Sequence, residues 1–273
     1  MRAGVYVYGM ASIAAGVLDL VWGEFEPAHQ PVQAFGNHIP GIRIMAYMGA
    51  VWLIAGGAAI LWRRTARFGA LALGILYGIF GMCCLPRFYT APHFLGYKAS
   101  VYIGVLGTVG MQIILAVAAA IVYAAVGSRG SLSPRAAAIA RWTFGVSVVV
   151  FGLVHLTGVE FAAPLVPKWM PLGGNFWTVL TGIAFVLGGL AILAGIRDVL
   201  AARLVGLMLL SFNALALLPL IFTSPHDHVA WGANAYNLTA VGAAWIVAEW
   251  LATRKRQATP NQSGAQPAKA SLA

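Results

Sequence analysis

The amino-acid sequence predicts an all-α membrane protein with eight transmembrane helices, arranged as two parallel-repeat four-helix bundles. Three observations carry this reading: an apolar composition, a succession of apolar runs of spanning length, and a residue pattern that recurs in the two halves. The 273-residue chain is 60% hydrophobic and 9% charged, whereas ordinary soluble chains carry about a quarter charged residues. So much apolar surface needs lipid as its solvent, which makes the bilayer the first implied partner. The net charge of +10 does not imply nucleic acid. The charges stand in short clusters between apolar runs, with no basic stripe and no aromatic-basic segment.

A spanning helix needs about 20 mainly apolar residues. Stretches 4–23, 44–62, 68–86, 100–126, 142–160, 177–196, 203–222 and 233–252 meet that need. Small residues recur in them, as in Ala55-Gly56-Gly57-Ala58-Ala59 and Gly188-Gly189, which lets helix backbones approach closely in lipid. The first run follows Arg2 as a signal peptide would, but its length and its counterpart later in the chain favour a retained span.

Charge gives the orientation. Arg63, Arg64 and Arg67, then Arg129, Arg135 and Arg141, then Arg197 and Arg203 fall on one side, with Arg2, Arg254, Lys255, Arg256 and Lys269. The other side holds only Arg43, Arg87, Lys98 and Lys168. The basic side is expected to be cytoplasmic, so this is a multi-pass chain with both termini inside.

The halves share an order of residues. Tyr8-Gly9, Gly16, Glu24 and Phe25 match Phe144-Gly145, Gly152, Glu160 and Phe161 at constant separation. Leu85-Pro86 and Thr90-Ala91-Pro92-His93 match Leu218-Pro219 and Thr223-Ser224-Pro225-His226. Four spans per half make both enter the membrane in the same direction, a parallel repeat about the membrane normal. The expected organisation is a first repeat over 1–126, a cytoplasmic linker over 127–141, a second repeat over 142–253 and a disordered cytoplasmic tail over 254–273.

The polar chemistry gathers on the extracytoplasmic side. All six histidines fall there, as do Asp19, Glu24, Glu26, Glu160 and Asp227. Ordinary loop polarity accounts for Glu26, His29 and His38. It does not account for Asp19 and His155, which are equivalent in the repeat and lie about five residues, roughly 7.5 Å, inside their helices. Ionisable groups at that depth usually face a cavity or a partner, so Asp19, His155 and Glu160 are the candidate catalytic residues. Five helical residues turn through about 500°, so His155 and Glu160 share a face only if the helix ends near Gly158. Otherwise each meets another helix, with Arg43, Trp169, Trp177, Asn213, Asn234 and Asn237 as partners. Trp169, Trp177 and Asn213 are the candidate ligand-binding groups, Asn213 being equally suited to interhelical bonding.

His226-Asp227-His228, if extended, would place two imidazoles on one side as for a divalent ion, but nothing completes a ligand set, and a metal is disfavoured. Haem is disfavoured too, since only His155 lies well inside a span. Adjacent Cys83 and Cys84 lack C-x-x-C spacing. They read as small apolar residues at a helix end, a vicinal disulfide being the alternative. No phosphate-binding loop, serine-nucleophile motif or H-E-x-x-H helix is present.

Phe151-Gly152-Leu153-Val154-His155, Val166-Pro167-Lys168-Trp169-Met170-Pro171, Phe176-Trp177-Thr178-Val179-Leu180-Thr181-Gly182 and Leu187-Gly188-Gly189-Leu190-Ala191-Ile192-Leu193 resemble the DoxX/DoxD-like family of small bacterial four-helix membrane proteins. The likeness covers about 145–250 and reaches the first half through the repeat. Many relatives carry an acid after the Thr-Gly of the second helix, where this chain has Ile183-Ala184-Phe185. The resemblance implies a bacterial cytoplasmic (inner) membrane and a quinone-linked redox component working with a redox partner protein, with His155 and Glu160 at the family's polar positions. A different class fits the same residues: a non-enzymatic binding or transport module for a small apolar or lipid-like molecule. A lipid isomerase using a paired acid and base is a third.

The orientation is directly testable. Single cysteines at positions 168 and 226 should be labelled from outside intact cells. Labelling at 168 only after permeabilisation would reverse the topology.

Overall fold

The computed structural model describes residues 2–29, 39–127 and 130–258. His38, part of the linker and the tail from 259 onward lie outside the described residues. Helices are the only regular elements among the described residues: α1 (Arg2–Trp22), α2 (Ile42–Leu61), α3 (Ala66–Cys83), α4 (Arg87–Leu95), α5 (Ala99–Val126), α6 (Pro134–Thr157), α7 (Val159–Ala162), α8 (Gly173–Ala194), α9 (Asp198–Phe212), α10 (Leu218–Thr223) and α11 (His228–Ala258). A 3₁₀ turn (Ala163–Leu165) follows α7, and a π-helical turn (Asn213–Leu217) joins α9 to α10.

Among the described residues, seven helices are long and apolar enough to cross a membrane: α1, α2, α3, α5, α6, α8, and α9 continued through α10 to Thr223. The chain is therefore a helical, multi-pass membrane protein. The eighth expected stretch, 233–252, falls in α11, which has the length at 31 residues but is not among the apolar seven. Its environment explains the difference. α11 packs against α1, α5 and α9 and buries Ala235, Ala240, Val241, Ala243, Ala244, Ile246 and Val247 along with Asn234, Asn237 and Thr239. A helix enclosed by protein need not present an apolar surface, and buried amides bonded to neighbouring helices are tolerated. α6 also begins earlier than expected, at Pro134 instead of 142, because Ser133-Pro134 starts a helix. The Ser133 hydroxyl accepts from Ala136 N at 3.3 Å, and proline occupies the first turn, where a missing N–H costs nothing.

The principal neighbours are α1 with α2 and α11, α2 with α3, α3 with α5, α5 with α6 and α11, α6 with α8, α8 with α9, and α9 with α11. α5 and α11 thus form the centre. Lipid gives no hydrophobic drive between apolar helices, so close contact must hold them, and glycine makes the closest contacts available. A Cβ at Gly57 would stand 2.7 Å from Gly9 O, and one at Gly16 2.5 Å from Ala50 O, across the α1–α2 seam. Across α6–α8, a Cβ at Gly189 would stand 2.7 Å from Gly145 O, and one at Gly152 2.6 Å from Gly182 O. Buried hydroxyls add bonds between helices: Tyr8 donates to Leu115 O at 2.9 Å, and Ser12 meets Tyr77 OH at 3.0 Å. At the basic end, Lys255 pairs with buried Asp198, tying the end of α11 to the start of α9.

Gly57→Ala or Gly189→Ala should therefore lower the melting temperature in mild detergent by forcing backbones apart, at a cost of about 1–3 kcal/mol. Gly78→Ala, where a Cβ meets open space, should leave it nearly unchanged. Equal effects at all three positions would contradict the close-packed seam.

Candidate functional site

The end of the bundle where α1 finishes and α11 begins holds two polar assemblies. The first is closed. Residues 23–29 leave α1 and fold back against the bundle, burying Phe25, Glu26 and His29. Asp19, fully buried near the end of α1, accepts from Glu26 N at 3.0 Å through Oδ1, and the same oxygen lies 3.3 Å from His228 Nε2. His228 Nδ1 lies 3.4 Å from Glu24 Oε1 at the surface, and its ring stacks on Trp22. Glu26 accepts from Ala28 N at 2.6 Å. Arg87, buried at the start of α4, donates to Pro27 O at 2.8 Å, while Gln112 donates to Ala28 O and Tyr236 OH.

Glu26 and His29, which loop polarity was expected to explain, are thus interior groups. Burial pushes the Glu26 carboxyl up to about 7. Burial, then the Arg87 and His228 charges, pushes the His29 imidazole down to about 3. The His29 ring stacks on Phe80 at 4.4 Å and meets Tyr236 edge-on, and neither ring nitrogen has a hydrogen-bond partner.

The second assembly is open and centres on His155. A cavity of about 450 Å³ lies between α6, α8, α9, α11 and the segment 162–170. His155, Trp177, Thr178, Ser211, Phe212 and Asn237 line it, with Met170, Met208 and Leu215 among the apolar walls. A second cavity of about 300 Å³ lies between α5, α6, α9 and α11, and His155, Phe212 and Asn237 line that one as well. His155 Nδ1 is 2.9 Å from Phe151 O, and its ring packs against Phe212 and Phe185.

Asn213, Asn234 and Asn237 make an amide chain between α9 and α11. Asn234 Nδ2 donates to Leu217 O and Ala230 O, Asn213 Nδ2 donates to Asn234 Oδ1, and Asn237 Nδ2 donates to Asn213 Oδ1 and Leu209 O. The chain spans the π-helical turn, a feature that often marks functional sites. Asn213 thus joins helices, while Asn237, one bond further along, reaches both cavities.

The sequence candidates separate accordingly. His155 and Trp177 share the open cavity, with the Trp177 indole donating to Pro171 O at 2.7 Å. Glu160 is exposed on α7, and Trp169 is 72% exposed; neither lines the cavity. The helix does stop near Gly158, but α7 then carries Glu160 on the outer side of the segment that roofs the cavity. Arg43 is exposed at the start of α2. Asp19 belongs to the closed assembly. His226 is exposed and His228 buried, because α11 begins at His228; the two rings do not project together as they would from an extended strand. Cys83 and Cys84 are free thiols.

Thr178 was not singled out from the sequence. It lines the cavity, is 2% exposed, and its hydroxyl has no hydrogen-bond partner. A signal was present: Gly182, one turn later on α8, is where α6 comes so close that a Cβ would stand 3.1 Å from His155 Cβ. No family model, curated protein or solved structure matches this chain.

The closed assembly gives a pH prediction. A carboxyl raised in the folded state stabilises it at low pH, and that contribution is lost as pH rises through about 7. His29 acts oppositely: its depressed value contributes stability above about 6.5 that is lost as pH falls. Glu26→Gln keeps an oxygen for Ala28 N and removes only the carboxyl titration. Its melting temperature relative to the wild type should rise between pH 5 and pH 8. A difference constant over that range would mean Glu26 titrates as an ordinary exposed carboxyl.

Proposed function

We propose that the chain is a binding module for a small, largely apolar molecule carrying one polar end, held in the cavity beside His155. The observation that carries this reading is a largely apolar cavity lined by His155 and Asn237, whose Nε2 and Oδ1 accept no hydrogen bond from the protein among the described residues. An unsatisfied buried polar group costs about 1–3 kcal/mol, and an occupant with a matching polar group relieves it. Pockets of this kind, apolar with a few converging polar groups, are the usual form of small-molecule sites.

The quinone-linked redox reading uses the same cavity and adds electron exchange with a partner protein. It rests on the DoxX-like residue pattern. The duplication is supported by packing: exchanging α1 with α6, α2 with α8, α3 with α9 and α5 with α11 leaves the neighbour relations unchanged. The two glycine seams also place their closest approaches at repeat-equivalent positions. On this reading α11 is the eighth span, equivalent to α5, and the basic end faces the cytoplasm of a bacterial inner membrane by the charge asymmetry. Asp19 and His155 are then the same position in two halves, one sealed by residues 23–29 and one left open under 159–170.

Mass spectrometry of the protein purified in mild detergent should find an apolar molecule retained near-stoichiometrically. Ser211→Phe, which fills the cavity from α9, should lose it while remaining folded. Identical extracts from both proteins would overturn the proposal. A retained quinone or quinol would favour the redox reading, any other lipid the binding module.

A further inference from the structure

We propose that the polar end of the bound molecule is a hydroxyl that donates its hydrogen bond into the site, so that the cavity takes an apolar phenol or alcohol rather than a ketone, ether or quinone. This rests on the cavity being a ligand site, and it follows from tracing each proton in the polar lining.

His155 Nδ1 lies 2.9 Å from Phe151 O. A carbonyl oxygen only accepts, so Nδ1 carries the ring proton. The neutral imidazole then has a bare lone pair on Nε2, and at pH 8 even an ordinary imidazole is neutral. No protein donor among the described residues reaches Nε2: the other contacts of the ring are with Phe185 and Phe212.

Asn237 gives the same answer independently. The direction of its amide is set at the far end of the amide chain. Asn234 Nδ2 donates to two backbone carbonyls, Leu217 O and Ala230 O, which fixes Asn234 Oδ1 as the acceptor for Asn213 Nδ2 at 3.1 Å. Asn213 Oδ1 then accepts from Asn237 Nδ2 at 3.2 Å, and that nitrogen also donates to Leu209 O at 2.8 Å. Reversing any one amide would set lone pair against lone pair at a carbonyl. Both donor positions of Asn237 are therefore used, and its Oδ1 is left as an acceptor.

Two acceptors, His155 Nε2 and Asn237 Oδ1, thus belong to residues shared by both cavities. A ligand hydroxyl gives its proton to one of these acceptors, matching the lining. A carbonyl or ether oxygen accepts only, and leaves both acceptors unsatisfied. Among redox lipids the same logic favours a quinol over its quinone.

The test uses the full chain in mild detergent at pH 8 with two probes, 4-hexylphenol and its methyl ether 4-hexylanisole. Binding is measured by calorimetry and counted as the difference from Ser211→Phe, which removes micelle partitioning. The wild type should bind the phenol about tenfold more tightly than the ether, the scale of one hydrogen bond in a dry site. His155→Phe should bring the two within about twofold, chiefly by weakening the phenol. Equal binding of both probes by the wild type overturns the hydroxyl inference and leaves the ligand site standing. Binding of neither overturns the ligand site and the inference with it. The wild-type comparison decides whether or not the variant folds.

Discussion

The absence of a hydrophobic drive between helices in lipid is the constraint on which the rest of this structure depends. Association must come from close backbone contact and from hydrogen bonds that lipid cannot replace. The chain meets the first need with glycine at the α1–α2 and α6–α8 seams, where a Cβ at Gly16, Gly57, Gly152 or Gly189 would collide with a facing carbonyl oxygen. It meets the second by enclosing α11, whose asparagines bond to α9. The cavity lies where neither device acts, between the α8 face carrying Trp177 and Thr178 and the α9 face carrying Met208 and Ser211. Rigid seams on both sides keep that space open.

The two polar assemblies show what one helix end can become. Near Asp19 the chain turns back at once, and Phe25 and His29 fill the interior against Phe80. Burial there favours the uncharged forms of the Glu26 carboxyl and the His29 imidazole. Near His155 the chain instead continues outward through α7 and the 3₁₀ turn, so Ala162, Leu165 and Val166 only roof the space beneath. The closed site turns Asp19, Glu26 and His228 on groups within it, while both His29 nitrogens stay sealed without a partner. The open one leaves an imidazole lone pair and an amide oxygen on residues that line a cavity.

Much of this was legible in the sequence, and the failures share a cause. Apolar runs and small residues located the seven apolar helices, and the depth of Asp19 and His155 marked both assemblies. Periodicity says little about which face of a membrane helix turns inward, because lipid and protein both welcome apolar side chains. The repeat and the grouping of acids and histidines at one end place Glu160 with His155, although Glu160 is exposed on α7. In sequence Asn213 suits interhelical bonding and ligand contact equally, and only its bonds to Asn234 and Asn237 separate those roles. Glu26 and His29 read as loop residues because nothing local announces that a loop will fold back into the bundle. Thr178 went unremarked because a threonine in an apolar helix usually bonds its own backbone, as Thr181 does to Trp177 O.

We propose that the space beside His155 is a preformed ligand site held open by packing. A density map of the protein reconstituted in lipid nanodiscs, purified without added ligand, tests it most directly. A discrete non-protein density should lie between Thr178, Phe212 and Asn237 with one end against His155 Nε2. A collapsed space, with Phe212 or Met208 turned into it and Thr178 bonded to its own backbone, would contradict it.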